Sequence, residues 1–148
     1  MTDYSVRLFP DDAAIRSLGE RLLACALPKA EWTHEAHLAA CAWLVLERPE
    51  MDLSRDLPGI IRSYNESVGG VNDDTQGYHE TITQGSLRGV RVFLNGRAAD
   101  EPLVGKVNAL LVSPHGRRDW LLEHYSRERL FSVAARRGWV EPDRAPLP

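Results

Sequence analysis

The chain has 148 residues, of which 43% are hydrophobic and 26% charged, and its formal net charge is −3. These proportions are those of an ordinary globular domain, and the length allows burial of roughly two thirds of the unfolded surface. The charge does not favour a polyanionic partner. The locally basic stretch 117–137 lacks the interleaved aromatic side chains on which bases could stack, so we predict no nucleic-acid partner.

The sequence shows no targeting or membrane signal. No stretch approaches the roughly 18 apolar residues of a membrane span, and residues 1–10 lack the basic and apolar parts of a secretory signal. Cys25 and Cys41 each lie inside a helical pattern, which favours reduced thiols over a disulfide framework. We therefore predict a cytoplasmic protein of bacterial type, with no membrane partner.

Helical spacing of apolar residues begins near the N-terminus. A first helix is predicted from about Asp11 to Leu27, with Pro28 as its end. Thr33 is a good N-cap for a second helix, which continues to about Arg48 before Pro49 stops the pattern. These two helices are thus joined by a short connection.

The middle of the chain predicts two further helices. One runs from about Met51 to Val68 and is interrupted by Pro58-Gly59. After a glycine-rich loop, residues 69–74, the next runs from about Thr75 to Leu94, with Asp74 or Thr75 as its cap. In this register His79 falls on the buried face.

The C-terminal third is less regular. A fifth helix is predicted within Pro102–Val112, followed by short helical turns at 117–124, 127–130 and 133–137. Serines precede the last two turns as caps, and a glycine follows the last: Ser126, Ser132 and Gly138. No alternating β-branched run has the length of a strand. We predict a single all-α, bundle-like domain, residues 1–148, of about five helices with a short irregular helical C-terminal part.

Three histidines occur in two similar contexts near predicted helix starts, WTHEAH at residues 32–37 and GYHET at residues 77–81. In a bundle with short connections, helices two and four run parallel, so their first turns share one end. His34 and His37 lie on one side of their helix, and His79 would add a third ligand. This pattern predicts a site for a divalent transition metal such as zinc, although imidazole also suits iron, copper and nickel.

Other polar residues would complete an active site. Glu35 or Glu80 would move protons beside a metal-bound water, as general acid–base groups do in metallohydrolases. Tyr64, Asn65 and Asn72 would orient a small-molecule substrate. The loop 69–74 would form part of the pocket wall.

The sequence leaves a different class of function open. A histidine in the first turn of a helix also serves simply to hydrogen-bond a neighbouring loop or the core. Two helix N-termini favour an anion over a cation, which argues against a metal, but they also depress protonation of imidazole, which helps it to bind one. The chain is therefore either a metal-dependent hydrolase or related small-molecule enzyme, or a non-catalytic ligand-binding or protein-interaction module with structural histidines.

Four motifs together resemble a group of small, uncharacterised bacterial helical proteins: WTHxxHL from Trp32, SYN from Ser63, GYHET from Gly77 and YSRxRLxS from Tyr125. The resemblance covers most of the chain from about Glu31 onward. It implies a helical fold and supplies no reaction.

Overall fold

The computed structural model describes residues 5–148, and every regular element in this range is helical. Five longer helices come first: α1 (Asp12–Leu23), α2 (His34–Glu47), α3 (Leu53–Ser67), α4 (Glu80–Asn95) and α5 (Leu103–Val112). Two short ones close the chain: α6 (Arg127–Leu130) and α7 (Val133–Arg137). Single 3-10 turns occur at Lys29–Glu31, Pro114–Gly116 and Trp120–Glu123. The all-α prediction is confirmed for the described residues.

Helix α2 is the centre of the bundle. All of residues 38–44 are buried, as expected for a helix that is apolar on every side. Helices α1, α4 and α5 pack around it. Gly19 allows a close crossing with α1, because a Cβ atom there would lie 2.2 Å from the Trp43 ring.

The C-terminal part forms a second, smaller core against α4. Its buried side chains are Trp120, Leu121, Tyr125, Leu130 and Leu147, and Ile82 of α4 packs against them. The hydroxyl of Thr81 donates to the carbonyl of Gly138 over 2.9 Å and so ties the segment after α7 to α4. No helix within residues 5–148 combines the length and the apolar character needed to cross a membrane.

Predicted N-caps at three helix starts are confirmed. The hydroxyls of Thr33, Ser126 and Ser132 each accept a backbone N–H three residues on, at 3.1, 3.2 and 3.1 Å respectively. Each hydroxyl satisfies an amide that has no partner within the helix. Short-range side-chain chemistry therefore sets these three boundaries.

The first and third helices differ in detail from the prediction. Helix α1 ends at Leu23, not near Leu27, and Cys25 adopts a left-handed backbone with φ +54° two residues later. Helix α3 is continuous through Pro58. Proline cannot donate to the carbonyl of Ser54, and the side chain of Gln84 donates to that carbonyl instead, over 2.9 Å.

The predicted start of the fourth helix is wrong by five residues. Neither Asp74 nor Thr75 caps it, because α4 begins at Glu80. Asp73 accepts from the backbone N–H groups of Thr75 and Gln76, at 2.9 and 3.1 Å, and so closes a turn within the loop. Gly77 then takes φ +79°, which is incompatible with a right-handed α-helix.

Candidate functional site

A pocket of about 210 Å³ lies where α2, α3 and α4 meet the segment 115–122. Most of its wall is apolar: Leu22, Leu38, Ala40, Leu44, Leu57, Ile61, Ile82, Leu121, Leu122 and Leu130, with the indole rings of Trp32 and Trp120. An apolar cavity of about 150 Å³ can hold benzene, so this pocket has room for one or two aromatic rings.

His37 is one of the polar residues that line the pocket. It is exposed, whereas the flanking Ala36 and Leu38 are buried. The ring packs on Trp32 with 3.8 Å between centroids. Within residues 5–148 no group forms a hydrogen bond with this ring.

The environment of His37 keeps its ring neutral. Enclosure by protein, and to a lesser extent the neighbouring His34, lowers the pKa of His37 from 6.5 to about 4. A neutral imidazole has one N–H donor and one acceptor nitrogen. His37 therefore offers a ligand either kind of hydrogen bond without a charge.

His34 has a positioning role. Its Nε2 donates to the carbonyl of Gly116 over 2.8 Å, which joins the start of α2 to the turn Pro114–Gly116. This turn packs tightly on α5, since a Cβ atom at Gly116 would lie 2.4 Å from the carbonyl oxygen of Leu110. Because Arg117 and Arg118 follow directly, His34 fixes the backbone just before two residues that line the pocket.

Glu35, which the sequence analysis placed beside a metal-bound water, is buried. Its Oε1 atom lies 3.7 Å from Nη2 of Arg118 and accepts no hydrogen bond from the described residues. Glu35 does not line the pocket, whereas Arg118 does. The carboxylate therefore balances the charge of a pocket arginine.

His79 has a different environment. It is the N-cap of α4, with φ −133° and ψ 111°, and its Nδ1 accepts from the backbone N–H of Ile82 over 3.1 Å. Its Nε2 donates to the carbonyl of Leu130 over 2.7 Å. Burial is the largest cause of a lowered pKa for this ring. Both nitrogens are used, so His79 links α4 to the C-terminal core.

The predicted metal centre of His34, His37 and His79 is therefore not assembled. Within residues 5–148, no three or more histidine, cysteine or acidic side chains are arranged to hold a metal ion. His34 and His37 reach the pocket, whereas His79 is absent from its lining. The donor set that suggested zinc is divided between a pocket and a helix cap.

The other predicted site residues have structural contacts. Glu80 accepts the hydroxyl of Tyr78 and lies outside the pocket. The buried hydroxyl of Tyr64 donates to the carbonyl of Leu27 over 2.9 Å. None of these groups faces the pocket, so the proton-transfer role of Glu80 and the substrate-orienting role of Tyr64 have no geometric support.

The expected tie across the loop 69–74 is confirmed. Asn65 donates to Oδ1 of Asn72 over 3.1 Å, and the same oxygen accepts the backbone N–H of Tyr78 over 2.9 Å. The described residues that line the pocket include none from this loop and neither asparagine. These bonds thus hold the loop in place just before the start of α4. The prediction that the loop forms part of the pocket wall is wrong.

The sequence analysis did not identify His115 or the rest of the segment 115–122 as part of a pocket wall. His115 is half-buried, with its ring 5.0 Å from that of Trp120 and 6.0 Å from that of Phe93. Cys41 also lines the pocket, and burial raises the pKa of its thiol to about 12, so the sulfur stays protonated. The Pro and Gly residues at 114–116 were the only local signal of this turn.

Comparisons of the chain with protein-family models, with curated proteins and with solved structures find no match. The chemistry of the pocket is therefore the basis for a functional proposal. Its defining features are an apolar wall, a neutral histidine without a hydrogen-bond partner in the described chain, and arginines at one end.

Proposed function

We propose that the protein binds a small, largely apolar molecule in the pocket between α2, α3, α4 and the segment 115–122. The observation that carries the proposal is His37. His37 lines an apolar pocket, and its imidazole has no hydrogen-bond partner in residues 5–148. Small-molecule sites are typically apolar pockets with a few polar groups, and a bound ligand would be a hydrogen-bond partner for this imidazole.

A binding role fits these residues better than hydrolysis. A general base works best when its pKa lies near the working pH, whereas the pKa of His37 is lowered to about 4. Glu80 already accepts a hydrogen bond from Tyr78, and Glu35 is paired with Arg118. The residues expected to carry proton transfer are thus engaged in other contacts.

Calorimetric titration with indole tests the proposal. Indole is neutral and aromatic, and its N–H can donate to the imidazole of His37. We expect saturable binding of one indole per chain. Ser86→Leu should weaken this binding at least about tenfold, the equivalent of ~1.4 kcal/mol, because Ser86 lines the pocket and a larger side chain would fill it.

Ser17→Leu is the matched control, because Ser17 is exposed on α1 outside this pocket. We expect it to bind indole as the wild type does, and circular dichroism would confirm that both variants fold. Absence of binding to the wild type would contradict the proposal. Equal affinity in a folded Ser86→Leu variant would contradict it as well, because the indole would then bind elsewhere.

A further inference from the structure

We infer that the natural ligand of this pocket is an aromatic carboxylic acid, with its ring held between aromatic side chains and its carboxylate bound by Arg117. This inference rests on the proposed function, because it names the class of ligand for the same pocket. Three features of the structure support it: the rings in the wall, the distribution of charge and the fixed position of the turn before Arg117.

Aromatic rings enter the pocket from two separate parts of the chain. Trp32 and His37 form one contacting pair with 3.8 Å between ring centroids, and His115 and Trp120 form another at 5.0 Å. All four line the pocket. Aromatic groups pack favourably in stacked or edge-to-face arrangements, so these walls suit a flat ring better than a flexible alkyl chain.

The charges at the pocket favour an anion. The lining residues include Arg117 and Arg118 and no acidic residue. Glu35 lies 3.7 Å from Arg118 and offsets its charge. The side chain of Arg117 makes no ion pair or hydrogen bond with the described part of the chain. One positive charge therefore remains uncompensated, and a guanidinium matches a carboxylate in shape and hydrogen bonding.

The backbone before Arg117 is held before any ligand arrives. His34 binds the carbonyl of Gly116 over 2.8 Å, and Gly116 packs against the end of α5. The other titratable groups nearby do not oppose an anion strongly, because His37 is neutral and Glu35 is paired with Arg118. A fixed backbone lowers the ordering cost of binding, which favours recognition by this arginine.

The test compares two probes of equal shape, 2-naphthoate and naphthalene-2-carboxamide, by calorimetric titration at neutral pH and low salt. We expect the wild type to bind the carboxylate about fivefold tighter than the amide, the factor for a solvent-accessible ion pair of ~1 kcal/mol. Arg117→Met should abolish this preference by weakening naphthoate binding alone. Arg127→Met, a matched change at an exposed position of α6, should leave it intact.

Each contrary outcome has a distinct meaning. Equal affinity for the two probes in the wild type would overturn the acid inference and leave the apolar binding pocket standing. A preference that persists in Arg117→Met would overturn the assignment to Arg117. Failure of both probes and of indole to bind would overturn the proposed function together with this inference.

Discussion

The two histidine motifs look alike in sequence and differ in what they do. In residues 32–37, Thr33 caps α2, so His34 and His37 fall within the helix and reach the pocket. In residues 77–81, Tyr78 occupies the place of that threonine and donates its hydroxyl to Glu80. His79 itself then becomes the cap of α4. His34, the counterpart of His79, also donates its Nε2 to a backbone carbonyl, whereas His37 has no counterpart in the second motif, where Ile82 stands at that position. The pocket-lining histidine without a hydrogen-bond partner is therefore the one that the two motifs do not share.

The largest difference between His79 and His37 is expected when each imidazole ring is removed. His79→Ala loses the cap of α4 and leaves the buried carbonyl of Leu130 without its donor, so the free energy of unfolding should fall by roughly 2 to 3 kcal/mol. His37→Ala should change it by less than about 0.5 kcal/mol, because that side chain is exposed and unpaired. Urea unfolding followed by circular dichroism measures both free energies of unfolding. Equal losses of stability in the two variants would contradict the distinction between a structural His79 and a pocket-lining His37.

A conservative replacement separates the two bonds of His79. Asparagine is a strong N-cap, so His79→Asn should keep an acceptor for the backbone N–H of Ile82 while losing the contact with Leu130. We expect this variant to recover about 1 kcal/mol of the stability lost in His79→Ala. The same urea unfolding experiment applies. No recovery would mean that capping is not what His79 contributes.

At the pocket, His37→Phe tests the hydrogen bond of the imidazole. Phenylalanine keeps a ring against Trp32 and removes both nitrogens. Loss of one neutral hydrogen bond of ~1 kcal/mol should weaken indole binding about fivefold, as measured by calorimetry. Ser17→Leu again serves as the control and should bind indole as tightly as the wild type. Unchanged affinity in His37→Phe would show that the imidazole is not a ligand partner.

A further effect is expected on the acid side of the stability profile. Because the pKa of His37 falls from 6.5 unfolded to about 4 folded, the unfolded chain binds this proton more readily, and stability is lost as the pH falls from 6.5 to 4. His37→Gln should therefore lose less stability than the wild type between about pH 7 and about pH 5. Unfolding by urea at the two pH values measures this, and an identical loss would contradict the lowered pKa.

Much of the fold could be predicted because its signals are local. Thr33, Ser126 and Ser132 cap helices through amides three residues away, and apolar spacing marks the five longer helices. The start of α4 could not be predicted in the same way. Asp73 has the side chain of a cap, and only the turn it makes with Thr75 and Gln76 shows that its oxygen is already used.

The site was less predictable, because its walls come from distant parts of the chain. The hydrogen bond from His34 to Gly116 spans 82 positions of the sequence. Residues 115–122 show no apolar periodicity that would predict a pocket wall. The environment of Glu35 is equally non-local, since this buried side chain lies near Arg118. The sequence thus pointed to His34 and His37, which line the pocket, and could not show which residues surround them.

The most direct test of the central claim is nitrogen NMR of the histidine rings during titration with indole. His79 should appear as the tautomer protonated at Nε2, because that atom donates to Leu130 while Nδ1 accepts from Ile82. We expect this tautomer to stay unchanged as indole is added, whereas the signals of His37 shift and saturate. Signals of His37 that do not move, or a ring of His79 that is protonated at Nδ1 or changes its tautomer with indole, would contradict the assignment of one histidine to the pocket and the other to the fold.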